Sequence, residues 1–187
     1  MADEGPASSL PSGRSLVPAS GAPGQGGPST DNDDRAAFEA MLVAGKSGLV
    51  TLDCGVTSSI GGAVALTDLA DAGCDVLARE AEVDTDSRVT FKFGNGARQA
   101  TIGRATLPAQ LGASSGTLSF HVLDADSPAL LGMDFLRRSR AVVDFGKETA
   151  RFLAVGPETH SLERLPSGHL ALRVVPEGPP TSPVERA

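Results

Sequence analysis

The sequence predicts an all-β domain with one or two short helices. Short apolar stretches, several with an apolar residue at every second position, are separated by Gly, Asn, Asp and Pro, which is typical of strands joined by turns. Helical periodicity is scarce by comparison. The chain has 187 residues, of which 40% are apolar, and this is enough for one ordinary core with tails.

Composition sets the limits of that domain. Residues 1–34 are dominated by Gly, Pro, Ser and Ala, so they cannot bury enough apolar surface to offset their conformational entropy, and we expect a disordered linker. The folded domain is predicted over residues 35–176. A run of Pro and Gly ends the pattern, which leaves residues 177–187 as a disordered tail.

Several elements are predicted in order along the domain. A short buried strand at 49–52 runs directly into an aspartate, and an exposed hairpin is expected near residues 88–102, because Asn and Gly tolerate positive φ at its turn. A second hairpin joins 141–145 to 150–153, and 170–174 is a last alternating strand. Helical spacing predicts inward-facing residues on two short helices, namely Val64, Leu66, Leu69, Met133 and Leu136.

Charge and cysteine content exclude several function classes. A formal net charge of -7 opposes binding to phosphate, so no direct nucleic-acid partner is expected. The two cysteines give neither a disulfide framework nor a zinc-binding spacing, so we expect no metal and no cofactor. No window approaches the roughly 18 apolar residues of a membrane span, and no signal-like start precedes the domain. We therefore expect a soluble cytoplasmic protein without a membrane partner.

Three motifs together resemble a known family. The first is an apolar strand that ends in Asp53 and continues as Cys54, Gly55, Val56, Thr57 and Ser58. This Asp-x-Gly pattern resembles the catalytic loop of retropepsin-like aspartic proteases, of the retroviral and LTR-retrotransposon type. In the family's order, a flap hairpin and then two apolar residues with Gly before a helix should follow. The matching residues are Phe93, Gly94, Asn95 and Gly96 for the flap and Leu130, Leu131 and Gly132 for the second motif.

The resemblance spans residues 43–175 and implies a closed β-barrel with aspartic endopeptidase activity. Peptide hydrolysis without a metal needs a base that activates water and an acid that protonates the leaving amide, and two paired carboxyl groups supply both. The chain offers one such aspartate, Asp53, so the second must come from another copy in a two-fold homodimer. An extended peptide, such as a segment of the retrotransposon polyprotein from which the chain derives, is the substrate that the resemblance implies.

The resemblance also implies roles for the neighbouring residues. Thr57 or Ser58 would bond the loop and line subsites, the flap would close over the peptide, and Leu130, Leu131 and Gly132 would brace the loop from behind. The alternating strand at 170–174 is a candidate for the strand that joins the two copies.

Cys54 departs from the family pattern, where Thr or Ser makes a hydrogen bond across the dimer. A thiol is a weaker donor than a hydroxyl, so an alternative is a catalytically impaired dimerisation or peptide-binding module. Two further alternatives stay open. Cys54 and its symmetry mate form a redox-sensitive pair, or the chain is an unrelated small β-barrel binding domain.

Overall fold

A computed structural model describes residues 48–94 and 96–178. The predicted linker at 1–34, the start of the predicted domain at 35–47, Asn95 and residues 179–187 lie outside the described residues. The domain boundaries proposed from composition therefore stay predictions.

Within the described residues the chain forms eleven strands and two helices, which confirms the β-rich fold. Helix α1 spans Ala63–Leu77 and α2 spans Met133–Arg138. Neither is long and apolar enough to cross a membrane. The strands are β1 (Leu49–Leu52), β2 (Ile60–Gly62), β3 (Glu82–Asp84), β4 (Thr90–Lys92), β5 (Arg98–Leu111), β6 (Ser114–Leu123), β7 (Leu130–Leu131), β8 (Ala141–Asp144), β9 (Thr149–Phe152), β10 (Thr159–Arg164) and β11 (Leu170–Arg173).

The strands form one sheet with an open path. Their order is β3-β5-β6-β2-β7-β1-β11-β10-β9-β8, and β4 pairs with β5 beside that path. A closed barrel requires the two end strands to pair, and among the described strands β3 and β8 do not. The predicted closed barrel is therefore not confirmed.

The core forms where α1 packs against the long β5–β6 hairpin. Leu66 and Leu69 on the helix are buried, as is Phe120 on β6. The prediction for Val64 is wrong, because its side chain is 66% exposed. Successive helical residues are about 100° apart, so Val64 and Leu66, two positions apart, point to nearly opposite sides.

Both predicted hairpins form. Phe91 pairs with Gln99 across the β4–β5 hairpin. In the β8–β9 hairpin Asp144 pairs with Thr149, so the connecting residues are 145–148. Each hairpin could be foreseen because its turn residues and its alternation are local in sequence.

The last predicted strand takes a different place from the one expected. β11 lies between β1 and β10, with Leu172 opposite both Val50 and Leu162. Both of its edges are hydrogen-bonded within the chain, so it has no main-chain groups left to pair with a second copy. The prediction that 170–174 joins the two copies is therefore wrong.

Candidate active site

Asp53 lies on the tight turn that follows β1. Its N–H donates to the carbonyl oxygen of Leu131 at 3.0 Å, and its Oδ1 accepts the N–H of Gly55 at 2.8 Å. A Cβ added at Gly55 would lie 3.1 Å from that oxygen, so glycine permits the loop to fold back against the carboxyl group. The side chain is half-buried and keeps access to solvent.

β7 holds the loop from behind, because it lies between the strands that enter and leave it. Leu131 pairs with Leu52 in parallel, whereas Leu130 pairs with Ile60 in the antiparallel direction. Leu131 is 1% exposed. The two strands flanking Asp53 are thus both fixed to one buried strand.

Gly132 continues that support by close backbone contact. A Cβ at this position would lie 2.6 Å from the carbonyl carbon of Ser58 and 2.8 Å from the carbonyl oxygen of Val56. The next two residues donate main-chain hydrogen bonds to the loop, from Met133 to Val56 at 2.8 Å and from Asp134 to Thr57 at 3.1 Å. The start of α2 therefore fixes the backbone of the Asp53 loop.

A second fixation comes from Ser59 and Asp134, which sequence reasoning missed. Asp134 Oδ1 accepts the N–H and the hydroxyl of Ser59, both at 2.8 Å, and also the N–H of Phe135 at 2.8 Å. Ser59 Oγ accepts the N–H of Gly132 at 3.1 Å. Hydrogen bonds to a carboxylate are stronger than those between neutral groups. The two residues are 75 positions apart, so no local pattern could have paired them.

The predicted flap residues lie at the tip of the β4–β5 hairpin. Phe93 accepts the N–H of Gly96 at 2.9 Å, and Gly96 has φ +85°, a conformation that favours glycine. A Cβ added at Gly94 or Gly96 would meet nothing within 4 Å, so this tip is open. Asn95 lies outside the described residues, and no described contact joins the tip to Asp53.

The hairpin reaches the loop indirectly, through His121 on β6. The rings of Phe91 and His121 lie 5.4 Å apart edge to face, and the N–H of His121 donates to the carbonyl oxygen of Ser59 at 2.9 Å. Burial lowers the pKa of His121, as does the positive charge of Arg104, while Asp134 opposes both. Its Nδ1 is buried without a hydrogen-bond partner among the described residues. This histidine therefore connects hairpin and loop, by ring packing against Phe91 on one side and by a main-chain hydrogen bond to Ser59 on the other.

A cavity of about 760 Å³ opens beside the loop, and Asp53 and Cys54 form part of its wall. Thr57 and Ser58 do not line it. Cys54 is exposed and makes no hydrogen bond with its thiol among the described residues. The remaining wall is largely apolar with a basic rim: Leu52, Met133, Leu136, Ala141, Val143, Phe145, Leu170, Gly168, His169, Arg137, Arg140 and Arg164.

Two of those arginines lie at the end of α2 and just beyond it. Arg137 and Arg140 are exposed, but they lie on the wall that also carries Asp53. Arg164, by contrast, is paired with Glu148 at 2.7 Å. Within residues 48–94 and 96–178 no cluster of His, Cys, Asp or Glu is arranged to hold a metal ion. The wall that Asp53 shares with the Cys54 thiol and His169 thus carries one carboxyl group, on a loop held by hydrogen bonds to β7 and α2.

Comparison with known proteins found similarity to solved structures but to no protein family and no curated sequence. No protein-family model and no curated protein sequence matches the chain. Among solved structures 19 chains match, and one of these is the retroviral protease-like domain of Ddi1 from Leishmania major. The two chains are 19% identical with a TM-score of 0.40, over 68% of this chain and 83% of that one. A likeness of this size assigns neither an activity nor a partner.

We predict that Gly132→Ala destabilises the protein, because the new methyl group would overlap the backbone of the Asp53 loop. Overpacking of this kind costs about 1–3 kcal/mol, which thermal and urea unfolding would measure. Gly116→Ala is the matched control, since a Cβ there meets nothing within 4 Å. Equal stability of the two variants would contradict the close packing of β7 and α2 behind the loop.

Proposed function

We propose that the chain is an aspartic endopeptidase that acts as a homodimer on extended peptide segments. The observation that carries the proposal is the setting of Asp53. Its carboxyl group is accessible to solvent, while its loop is fixed by β7, Gly132 and the Ser59–Asp134 hydrogen bonds. A structural aspartate that merely caps a turn has no need of support from a strand and a helix far along the chain, at Leu130–Leu131 and Met133–Arg138.

The mechanism needs two such carboxyl groups in contact. Like charges this close cannot both ionise, so the pair of Asp53 side chains holds one proton between them. The ionised carboxylate takes a proton from a water molecule, whose oxygen attacks the carbonyl carbon of the peptide. The protonated carboxyl group supplies the proton that the amide nitrogen accepts when the C–N bond breaks. No metal or covalent intermediate enters this scheme.

The β4–β5 hairpin is the proposed cover for the bound peptide. The open space around Gly94 and Gly96 gives an extended substrate room to approach the tip of the hairpin. The contact from Phe91 through His121 to Ser59 gives the hairpin a packed connection to the loop that it would cover. Closure would remove water from the reacting groups. Thr57 and Ser58 lie outside the wall of the cavity beside Asp53, and they are proposed to contact the peptide from the loop itself.

One observation favours a second candidate function. The exposed Cys54 thiol has no hydrogen-bond partner among the described residues, and as a donor it is weaker than the hydroxyl expected there. If the two loops are held loosely, the chain is a dimerisation or peptide-binding module without activity. Derivation from a retrotransposon polyprotein fits either candidate and rests on the motif resemblance alone.

The first test is Asp53→Asn in the full-length chain, which keeps the shape of the carboxyl group but removes its charge and its basicity. We expect cleavage of a peptide library at mildly acidic pH to fall to background in this variant. Asp126→Asn is the control, because Asp126 is exposed in the loop before β7. Equal cleavage by Asp53→Asn and the unmodified chain would rule out the proposed chemistry.

The second candidate is tested by Cys54→Thr, which restores a hydroxyl donor beside Asp53. One added hydrogen bond contributes about 1 kcal/mol, or roughly a five-fold gain in dimer affinity or cleavage rate. Sedimentation and the same peptide assay would measure the two effects. Cys74→Ser, on α1, is the control. If the unmodified chain already cleaves peptides and Cys54→Thr cleaves them no faster, the thiol suffices. If only Cys54→Thr cleaves peptides, the unmodified chain is better described as the inactive module.

A further inference from the structure

His121 is a titratable residue in the middle of the sheet. It lies on β6 between two neighbouring strands, opposite Ile60 on β2 and Arg104 on β5. Its side chain is half-buried, and its Nδ1 is buried without a hydrogen-bond partner among the described residues. Histidine changes its charge close to neutral pH. A change of charge at this place would therefore act on whatever the ring contacts.

The ring contacts the β4–β5 hairpin. Phe91 and His121 meet edge to face, with their ring centres 5.4 Å apart. Within the described part of the chain β4 is hydrogen-bonded to β5 alone, and of its three residues Thr90 and Lys92 are exposed while Phe91 is half-buried. The Phe91 ring therefore joins β4 to the sheet beyond its own hairpin partner.

Protonation would make this position unfavourable for the His121 ring. A neutral imidazole has one donor nitrogen and one acceptor nitrogen, whereas both nitrogens of the charged form are donors. At Nδ1 the donor would be buried with no described acceptor, and both the unsatisfied donor and the buried charge cost free energy. Arg104, directly opposite on β5, adds repulsion between like charges. A ring that leaves this position regains water as a partner.

The groups around the ring act together in favour of its neutral form. Burial and the positive charge of Arg104 lower the pKa of His121, and they outweigh Asp134 at the start of α2, whose carboxylate favours the protonated form. The residues that meet His121 from the other two elements, Phe91 on β4 and Ile60 on β2, carry no charge. The observed contact with the hairpin is thus a contact of the uncharged ring.

We infer that His121 is a positioning residue for the hairpin: its neutral ring holds β4 against the sheet through Phe91, and its protonation releases β4. The Asp53 loop stays in place on release, because the link from His121 to Ser59 is a main-chain hydrogen bond of 2.9 Å. The effect of release on cleavage rests on the proposed function, in which the hairpin covers the peptide, whereas the release itself does not.

The direction of the pH dependence follows from proton binding. In the released state the ring is in water with the ordinary pKa of histidine, about 6.5, and in the docked state its pKa is lower. The docked state therefore binds fewer protons than the released state. Docking is fully favoured above about pH 6.5 and weakens as the pH falls below that value.

NMR of the full-length chain between about pH 5 and pH 8 measures this release. The chain has three histidines, and the ring signal of His121 is identified by its loss in His121→Phe. We expect the magnetisation transfer between the Phe91 and His121 rings to fall by about three-fold or more from the upper to the lower end of this range. Backbone relaxation should show Gly94 and Gly96 becoming more mobile over the same interval. Both changes should follow the titration of His121.

Two variants separate a pH-dependent role from packing alone. His121→Phe keeps an aromatic ring beside Phe91 but cannot be protonated, so the hairpin should stay docked over the whole range. Arg104→Gln removes the like charge, so His121 should titrate at higher pH and release less of the hairpin at about pH 5. The matched control is His160→Phe, whose ring packs against Phe152 on β9 at 5.5 Å, far from β5 in the strand order. Its hairpin should respond to pH as in the unmodified chain.

The outcomes are distinct from those of the peptide assay. A hairpin that stays docked while His121 titrates, or that is released equally in His121→Phe, overturns the inference. Circular dichroism checks that each variant is folded, and Arg104→Gln carries the test if His121→Phe does not fold. Release without any cleavage supports the role of His121 while the proposed function fails, and cleavage without release has the opposite meaning.

Discussion

The position of Asp53 depends on β7, the two-residue strand that lies between the strands entering and leaving the loop. Leu130 and Leu131 pair with both, and Gly132 lets the following helix approach the loop backbone without a side chain between them. A free loop of seven residues would have many conformations, and restricting it to one costs conformational entropy. Here the pairing of β7 with both flanking strands restricts the loop, and the Ser59–Asp134 hydrogen bonds restrict it further. The carboxyl group is therefore held in place before any substrate arrives.

A second constraint is that each chain supplies one aspartate in this setting. In the proposed mechanism an acid and a base both act on the peptide bond, so a single Asp53 would supply half of the site. In the strand order β11 is enclosed on both edges, so a second copy would have to approach Asp53 by another surface.

Sequence reasoning succeeded where the determining interactions are local. The β4–β5 and β8–β9 hairpins follow from turn residues and alternation, and the position of Asp53 directly after a strand follows from the short apolar run before it. It failed where distant segments meet. Ser59 and Asp134 carry no pattern that pairs them, and the alternation of β11 is the same for an enclosed strand as for an edge strand. Nor does any local pattern place Arg137 and Arg140 on the cavity wall that also carries Asp53.

The central claim is that each active site uses an Asp53 from both copies, and mixing subunits tests it most directly. The unmodified chain is combined with an equal amount of Asp53→Asn chain, subunits are allowed to exchange, and cleavage is measured per total protein. Random pairing leaves about a quarter of the dimers with two aspartates, so activity should fall to about a quarter of that of the unmodified protein at the same total concentration. A fall to one half, which is the value for copies that act independently, would contradict the account.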